Sequence, residues 1–198
     1  MLMRRSILTG DWKPGERIVE SRLAKELGVG QPTIREALVA LENVGLVTRL
    51  AVKGCIVTAL TSTQARDLLF LRRELESILL GLICEVASDS ELAALTAVTL
   101  HLETAAIAGN IDDFRKLDLE LHQMTWKLSG NTFIPRMIEQ VTLPLLAFFP
   151  IPGPSMLAVA KARLSMALHL EKRDVEQARK ANRAMLERME AMRVNGNE

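Results

Sequence analysis

An aspartate and a histidine one helical turn apart are the residues whose types and spacing most directly suggest chemistry. Asp118 and His122 stand at i and i+4 in DFRKLDLELHQMTWKLSGN. Residues four apart share one face of a helix, so this carboxylate and imidazole could ligate one cation. Two protein ligands are too few for a stable zinc site, and helix packing would have to bring His101 or His169 near. The alternative is a hydrogen-bonded pair that lines a pocket without metal.

A basic residue in another helical segment is the second candidate. Arg72 lies in LRRELES and is followed at i+4 by Glu76. A buried guanidinium can hold a ligand carboxylate through two parallel hydrogen bonds. The structural alternative is an ion pair with Glu76 on the same helical face.

The elements that position these residues are helices. After residue 61, serines, glycines and prolines separate one predicted helix from the next, and no segment between these breaks has the pattern of a strand. Short loops between successive helices indicate an antiparallel bundle. The predicted helices run over 63–87, 90–108, 111–129, 132–148, 155–171 and 174–193.

The segment before the bundle has a different organisation. Residues 20–46 predict a short helix, a turn at Gly28 and a second helix that begins near Gln31. This is the pattern of a helix-turn-helix, whose second helix enters the major groove of DNA by its N-terminal end. Gln31, Thr33 and Arg35 cluster at that end, although an ordinary helical hairpin would show the same spacing.

A short β-hairpin is predicted after the second helix. Leu46, Thr48 and Leu50 alternate with their neighbours, and residues 55–57 form a second β-prone run. Lys53 and Gly54 lie at the tip of the hairpin. A helix-turn-helix followed by such a hairpin is a winged helix, whose tip can place a cation near a phosphate or the minor groove.

Residues 10–58 resemble the N-terminal domain of the GntR family of transcriptional regulators. The matching segments are GDWKPGERIVESRLAKELGV, PTIREAL, ALENVGLV and KGCIV, while Gly30-Gln31 and Ser21 depart from the family pattern. LRRELES, DFRKLDLELHQMTWKLSGN and KRDVEQARKANRAMLERM resemble the helical FCD domain of the FadR subfamily. The resemblance implies a mainly α chain. It implies a DNA-binding domain over 1–60, whose first helix starts upstream of this chain, and an effector-binding and dimerisation domain over 61–198.

The same resemblance bears on the candidate site. In many FCD domains an Asp-x3-His pair joins two later histidines around a divalent metal. Arg163 and Met185 stand at the two later positions here, and an arginine offers a competing charge and no lone pair. We therefore expect no required cofactor, although a divalent metal stays open. The expected effector pocket consists of Arg72, Asp118, His122 and Arg163.

Composition is compatible with this interpretation. The net charge of the chain is +1, but residues 1–60 hold nine Lys/Arg against six Asp/Glu. A basic N-terminal domain favours DNA as partner. The two cysteines lack metal-ligand spacing, and neither a secretory signal nor a membrane-spanning run is evident. We expect a cytoplasmic protein without a membrane partner.

The function we expect is that of a ligand-responsive regulator and not an enzyme. It would act as a repressor, bind a palindromic operator as a homodimer and respond to a small carboxylate. The rival is a helical metal-binding protein or metalloenzyme that uses Asp118 and His122. A third interpretation is a degenerate regulator that binds DNA constitutively.

Overall fold

The computed structural model describes residues 2–51, 54–148 and 151–194. Of these, residues 192–194 are described by their backbone only. The chain forms two compact units. Unit 1 comprises residues 1–68 and 139–150, and unit 2 comprises residues 69–138 and 151–198. The domain boundary after residue 60 stays a sequence-based prediction.

Unit 1 contains the predicted helix-turn-helix and hairpin. Its elements are α1 (Leu2–Thr9), β1 (Arg17–Ile18), α2 (Glu20–Leu27), α3 (Gln31–Asn43), β2 (Val47–Leu50) and β3 (Gly54–Val57).

The turn between α2 and α3 forms for local reasons. Gly28 adopts the left-handed conformation with φ 65°, and the N–H of the following Val29 donates to Ala24 O over 3.0 Å. A residue without Cβ adopts this φ at little cost, so the helix ends there. Helix α3 starts with a proline in its first turn, where the missing N–H has no helical partner to lose.

The sheet has three antiparallel strands in the order β1-β3-β2. Strands β2 and β3 are the predicted hairpin, with Arg49 opposite Cys55. Strand β1 was not predicted from the sequence. It adds Arg17 opposite Ile56 at the free edge of β3.

The remaining elements are the six predicted helices, each within about two residues of its expected bounds. Side chains cap several N-termini: Thr61 accepts from the N–H of Gln64 over 3.2 Å, and Asn110 accepts from Asp113 over 3.2 Å. The helices are α4 (Ser62–Val86), α5 (Asp89–Ile107), α6 (Ile111–Leu128), α7 (Ile134–Phe148), α8 (Gly153–Glu171) and α9 (Val175–Val194).

Within the described ranges, no helix is both long and apolar enough to cross a bilayer. Both cysteines are free thiols; Cys55 is buried and Cys84 is half-buried. Burial raises the pKa of each thiol, which keeps both protonated near neutral pH.

Candidate functional site

The exposed end of helix α3 is the first candidate site. Gln31, Thr33 and Arg35 are all exposed, whereas Ile34 and Leu38 of the same helix are buried. The apolar side of the helix thus packs against the rest of unit 1, and its N-terminal end presents an amide, a hydroxyl and a guanidinium to solvent. These are groups that can donate to or accept from base edges.

Arg35 has a partner that sequence reasoning missed. Its Nε donates to Oε2 of Glu20, at the start of α2, over 2.7 Å. The Arg35 side chain remains 63% exposed and that of Glu20 is 25% exposed. The ion pair therefore orients the guanidinium without burying it. The first-turn position of Glu20 in the preceding helix was visible in the sequence, but the pairing depends on the angle between α2 and α3.

The hairpin tip is described in part. Gly54, which we predicted in the loop, instead begins β3 opposite Leu50; it is exposed and has φ 71°, the left-handed region that favours glycine. Lys53 lies outside the described residues, so its predicted role stays a prediction.

A buried cluster of charged side chains in unit 2 is the second candidate site. The four predicted pocket residues converge there from three helices: Arg72 from α4, Asp118 and His122 from α6, and Arg163 from α8. Each is less than 5% exposed, and Arg72 is 0% exposed. Charged residues are almost never so buried unless they are paired.

The imidazole of His122 is at the centre of this cluster. Its Nε2 lies 3.1 Å from Nη2 of Arg72 and 2.9 Å from Nη2 of Arg163. A guanidinium can only donate, so Nε2 must be the acceptor and the ring proton must be on Nδ1. Burial and the two guanidinium charges hold the pKa of His122 well below its usual value. The ring also stacks on Trp126, with centroids 5.8 Å apart.

Two further residues belong to the cluster. Glu76 accepts from Arg72 Nε over 2.8 Å, which is the ion pair considered from the sequence, and its other oxygen accepts from Asn182 Nδ2 over 2.7 Å. Asn182, on α9, also lies 3.5 Å from Nη1 of Arg163. Burial alone would raise the pKa of Glu76, but Arg72, Arg163 and Asn182 outweigh it and lower that pKa. Nothing in the sequence singled out Asn182, because its partner Glu76 is 106 residues away.

Asp118 is held less tightly than Glu76. Its Oδ1 lies 3.6 Å from Nε of Arg163, and its Oδ2 lies 3.7 Å from Nε2 of His122. Both distances exceed a hydrogen bond. Burial raises the pKa of Asp118, and Arg163 and Arg72 offset only part of that effect. The cluster as a whole pairs two guanidinium groups with two carboxylates.

Three buried polar atoms of the cluster have no hydrogen-bond partner among the described residues: Arg72 Nη1, Arg163 Nε and Asp118 Oδ1. A small cavity adjoins the cluster. Its volume of about 10 Å³ gives room for about one water molecule. Its polar lining is Glu76, His122, Thr125, Arg163 and Asn182, and its apolar lining is Leu79, Leu80, Leu121 and Met166.

The other residues considered as metal ligands lie elsewhere. Met185 is buried on α9 and lines a separate cavity that includes Val159 and Arg188. His101 is exposed on α5, His169 is half-buried near the end of α8, and neither lines the cavity at His122. No three His, Cys, Asp or Glu side chains of the described residues are grouped so as to hold a metal ion.

Two family models match the chain. The model of bacterial regulatory proteins of the gntR family matches residues 2–57, and the FCD domain model matches residues 67–188. The first match covers the helix-turn-helix and the hairpin. The second covers every residue of the buried cluster.

The chain is also similar in sequence to individual transcriptional regulators. The chain is 31% identical over 140 residues to the HTH-type transcriptional regulator YdhC of Bacillus subtilis, covering 70% of this chain and 62% of that protein. It is 34% identical over 132 residues to the Nta operon transcriptional regulator of Aminobacter aminovorans, covering 66% and 62%. The matches thus span less than two thirds of these relatives. Neither relative is named as an enzyme.

A solved structure confirms the fold. The structure of E. coli McbR/YncC superimposes with a TM-score of 0.85 over 98% of this chain and 94% of that one, at 20% identity.

Proposed function

Because the chain belongs to the GntR family of bacterial regulatory proteins and carries an FCD domain, we propose that it is a sequence-specific DNA-binding repressor controlled by a small carboxylate. The observation that carries the proposal is the exposed N-terminal end of α3. Gln31, Thr33 and Arg35 stand there on a helix whose opposite side is buried. In a helix-turn-helix this is the end that contacts bases in the major groove.

DNA recognition is proposed to use two copies of the chain. A homodimer would present two α3 helices related by a two-fold axis, and its operator would then be palindromic or nearly so. Arg at a base edge favours guanine, whereas Gln favours adenine. Gln31 and Arg35 therefore make different contributions to the half-site, which we expect to contain both bases.

The hairpin is proposed to contribute affinity without sequence preference. Lys53 would contact a phosphate from the tip, beside the exposed Gly54. Replacing Lys53 by Ala should weaken binding to every sequence and lower the slope of log affinity against log salt by about 1.

The effector is proposed to bind at the buried cluster. Nη1 of Arg72 and Nε of Arg163 are buried donors that have no hydrogen-bond partner among the described residues, although Nε of Arg163 lies 3.6 Å from Oδ1 of Asp118. A carboxylate could accept from such donors, and each charge-assisted hydrogen bond would contribute roughly 1.5–3 kcal/mol. Cationic donors favour an anion as the ligand, because hydrogen bonds between oppositely charged groups are the stronger ones.

Control of DNA binding would follow from the size of the cavity. It has room for about one water, so a larger ligand must displace side chains from the cluster. The cluster joins α4, α6, α8 and α9. A ligand that binds the rearranged cluster more tightly than the closed one would shift the chain to a second conformation. Acting on DNA, such a protein would work in the cytoplasm.

The proposal is tested by two measurements in sequence. Selection from a random DNA library should enrich a two-fold symmetric site, and a gel shift at fixed salt should show dimeric occupancy. A thermal-shift screen of small carboxylates should then identify a ligand that stabilises the protein and weakens its binding to the selected site. Failure to enrich any sequence would reject DNA recognition. Enrichment without any carboxylate response would favour a regulator that binds DNA constitutively.

A further inference from the structure

The fit of a divalent metal at the buried cluster can be judged from the atoms around His122. Nε2 is the ring nitrogen that lies 3.7 Å from Oδ2 of Asp118, so a cation shared by these two residues would bind it. That nitrogen already accepts from Arg72 and from Arg163, over 3.1 and 2.9 Å. Its one lone pair cannot serve a metal while it serves two guanidinium groups.

The guanidinium of Arg163 lies against both retained ligand residues, Asp118 and His122. Its Nη2 is 2.9 Å from Nε2 of His122, and its Nε is 3.6 Å from Oδ1 of Asp118. A zinc ion would lie about 2.0–2.2 Å from an imidazole nitrogen and a carboxylate oxygen. An ion at those distances from both groups would lie close to the guanidinium and would be repelled by its charge.

The described side chains of α9 offer the site no free third ligand. The α9 residue of the cluster is Asn182, whose amide oxygen, the atom that could ligate a metal, lies 3.5 Å from Nη1 of Arg163, while its amide nitrogen donates to Glu76 over 2.7 Å. Met185 lines the separate cavity, and its thioether is a poor ligand for hard or borderline cations. The metal that the FCD resemblance implies therefore does not fit these residues.

We infer that the Arg163 guanidinium is a built-in cation that replaces the metal and makes this site independent of metal. It contacts the carboxylate and imidazole that would otherwise hold the ion, and it extends to Asn182. A guanidinium cannot be removed by a chelator. The site therefore keeps its charge balance of two cations and two carboxylates whether or not metal is supplied. The experiments below add or remove only metal, so their outcome does not depend on which effector the protein binds.

The first measurement uses the wild-type chain. Protein expressed with added zinc or nickel should contain far less than one metal per chain, and its melting temperature should not change with EDTA or with either metal. One tightly held metal per chain, or a melting temperature that EDTA lowers, would overturn the inference.

The second measurement uses two variants of the same residue. Arg163→His places a third ligand beside Asp118 and His122, removes the nearer guanidinium and leaves Arg72, at 3.1 Å, as the group that a metal must displace from Nε2 of His122. Zinc or nickel should raise the melting temperature of this variant, and EDTA should reverse the rise. Arg163→Lys, the matched control, keeps a cation and should not respond. A folded Arg163→His variant that ignores both metals would show that these positions do not converge on one centre. If it fails to fold, the wild-type metal content and the Arg163→Lys response still decide.

Discussion

Arg35 donates to Glu20 over 2.7 Å, so the exposed guanidinium of α3 is paired with a carboxylate before DNA arrives. Glu20→Gln removes the negative charge and keeps an acceptor of the same size. We expect tighter binding to all DNA and a smaller ratio of specific to non-specific affinity, because the loss of an anion near the phosphates acts without regard to sequence. Glu26→Gln on the same helix, whose partner is Arg22, is the matched control. An unchanged specificity ratio in Glu20→Gln would contradict this role of the ion pair.

The close approach of Gly45 to Pro144 in unit 1 leads to a second prediction, on stability. Gly45, after α3, has φ +75°, and a Cβ built on it would lie 2.8 Å from Cγ of Pro144. Gly45→Ala should cost about 1–2 kcal/mol of unfolding free energy for the backbone conformation and about 1–3 kcal/mol more for the clash.

Gly28→Ala separates the two costs. Gly28 has φ +65°, and a Cβ there would meet nothing within 4 Å. This variant should lose only the conformational part, about 1–2 kcal/mol. Equal losses for Gly45→Ala and Gly28→Ala in urea unfolding would mean that Pro144 moves away without cost.

The buried ion pair of the cluster makes a third prediction. Arg72→Met leaves the carboxylate of Glu76 buried with one fewer cation, and it should destabilise the protein by about 3–5 kcal/mol. Arg72→Met with Glu76→Leu should recover most of this loss. Arg183→Met breaks an exposed pair with Glu74 and should cost less than about 1 kcal/mol. If Arg72→Met costs no more than Arg183→Met in urea unfolding, the cluster does not have the burial described.

The imidazole at the centre of the cluster makes a fourth prediction, on pH. The pKa of His122 is well below 6.5 in the folded chain. The unfolded chain therefore binds a proton below about pH 6.5 that the folded chain does not. Stability should then fall as pH falls from 7.5 to 5.5, by up to about 1.4 kcal/mol per unit below 6.5. The lowered pKa of Glu76 contributes only below about pH 4.5, and the raised pKa of Asp118 acts in the opposite sense, because the folded chain binds that proton more readily than the unfolded chain.

His122→Gln isolates this contribution, because the amide oxygen can still accept from a guanidinium. Its stability should change less between pH 7.5 and 5.5 than that of the wild type. His101→Gln, at an exposed position on α5, is the matched control variant. Parallel curves for His122→Gln and wild type would show that His122 binds protons equally in both states.

Most of the fold could be predicted from local sequence signals. Gly28, Gly109 and Gly130 end helices by adopting positive φ, and these stops are visible in one sequence without any knowledge of tertiary contacts. Strand β1 was missed, because two residues carry no periodicity and its pairing of Arg17 with Ile56 is long-range.

Part of the buried cluster could likewise be predicted from the sequence, and part could not. The i, i+4 spacings of Asp118–His122 and Arg72–Glu76 were readable, since each pair lies on one helix. Asn182 was not predicted. Its place depends on how α9 packs against α4, and a single sequence does not determine that packing.

The direct test of the account is the affinity of Arg35→Ala for the operator selected with the wild type, measured by fluorescence anisotropy at fixed salt. If Arg35 reads a base, the variant should lose about 1–3 kcal/mol, or roughly five-fold to 150-fold in Kd. Arg183→Ala removes an exposed arginine from α9 and should bind as the wild type does. Operator affinity of Arg35→Ala equal to that of Arg183→Ala would contradict DNA recognition by the N-terminal end of α3.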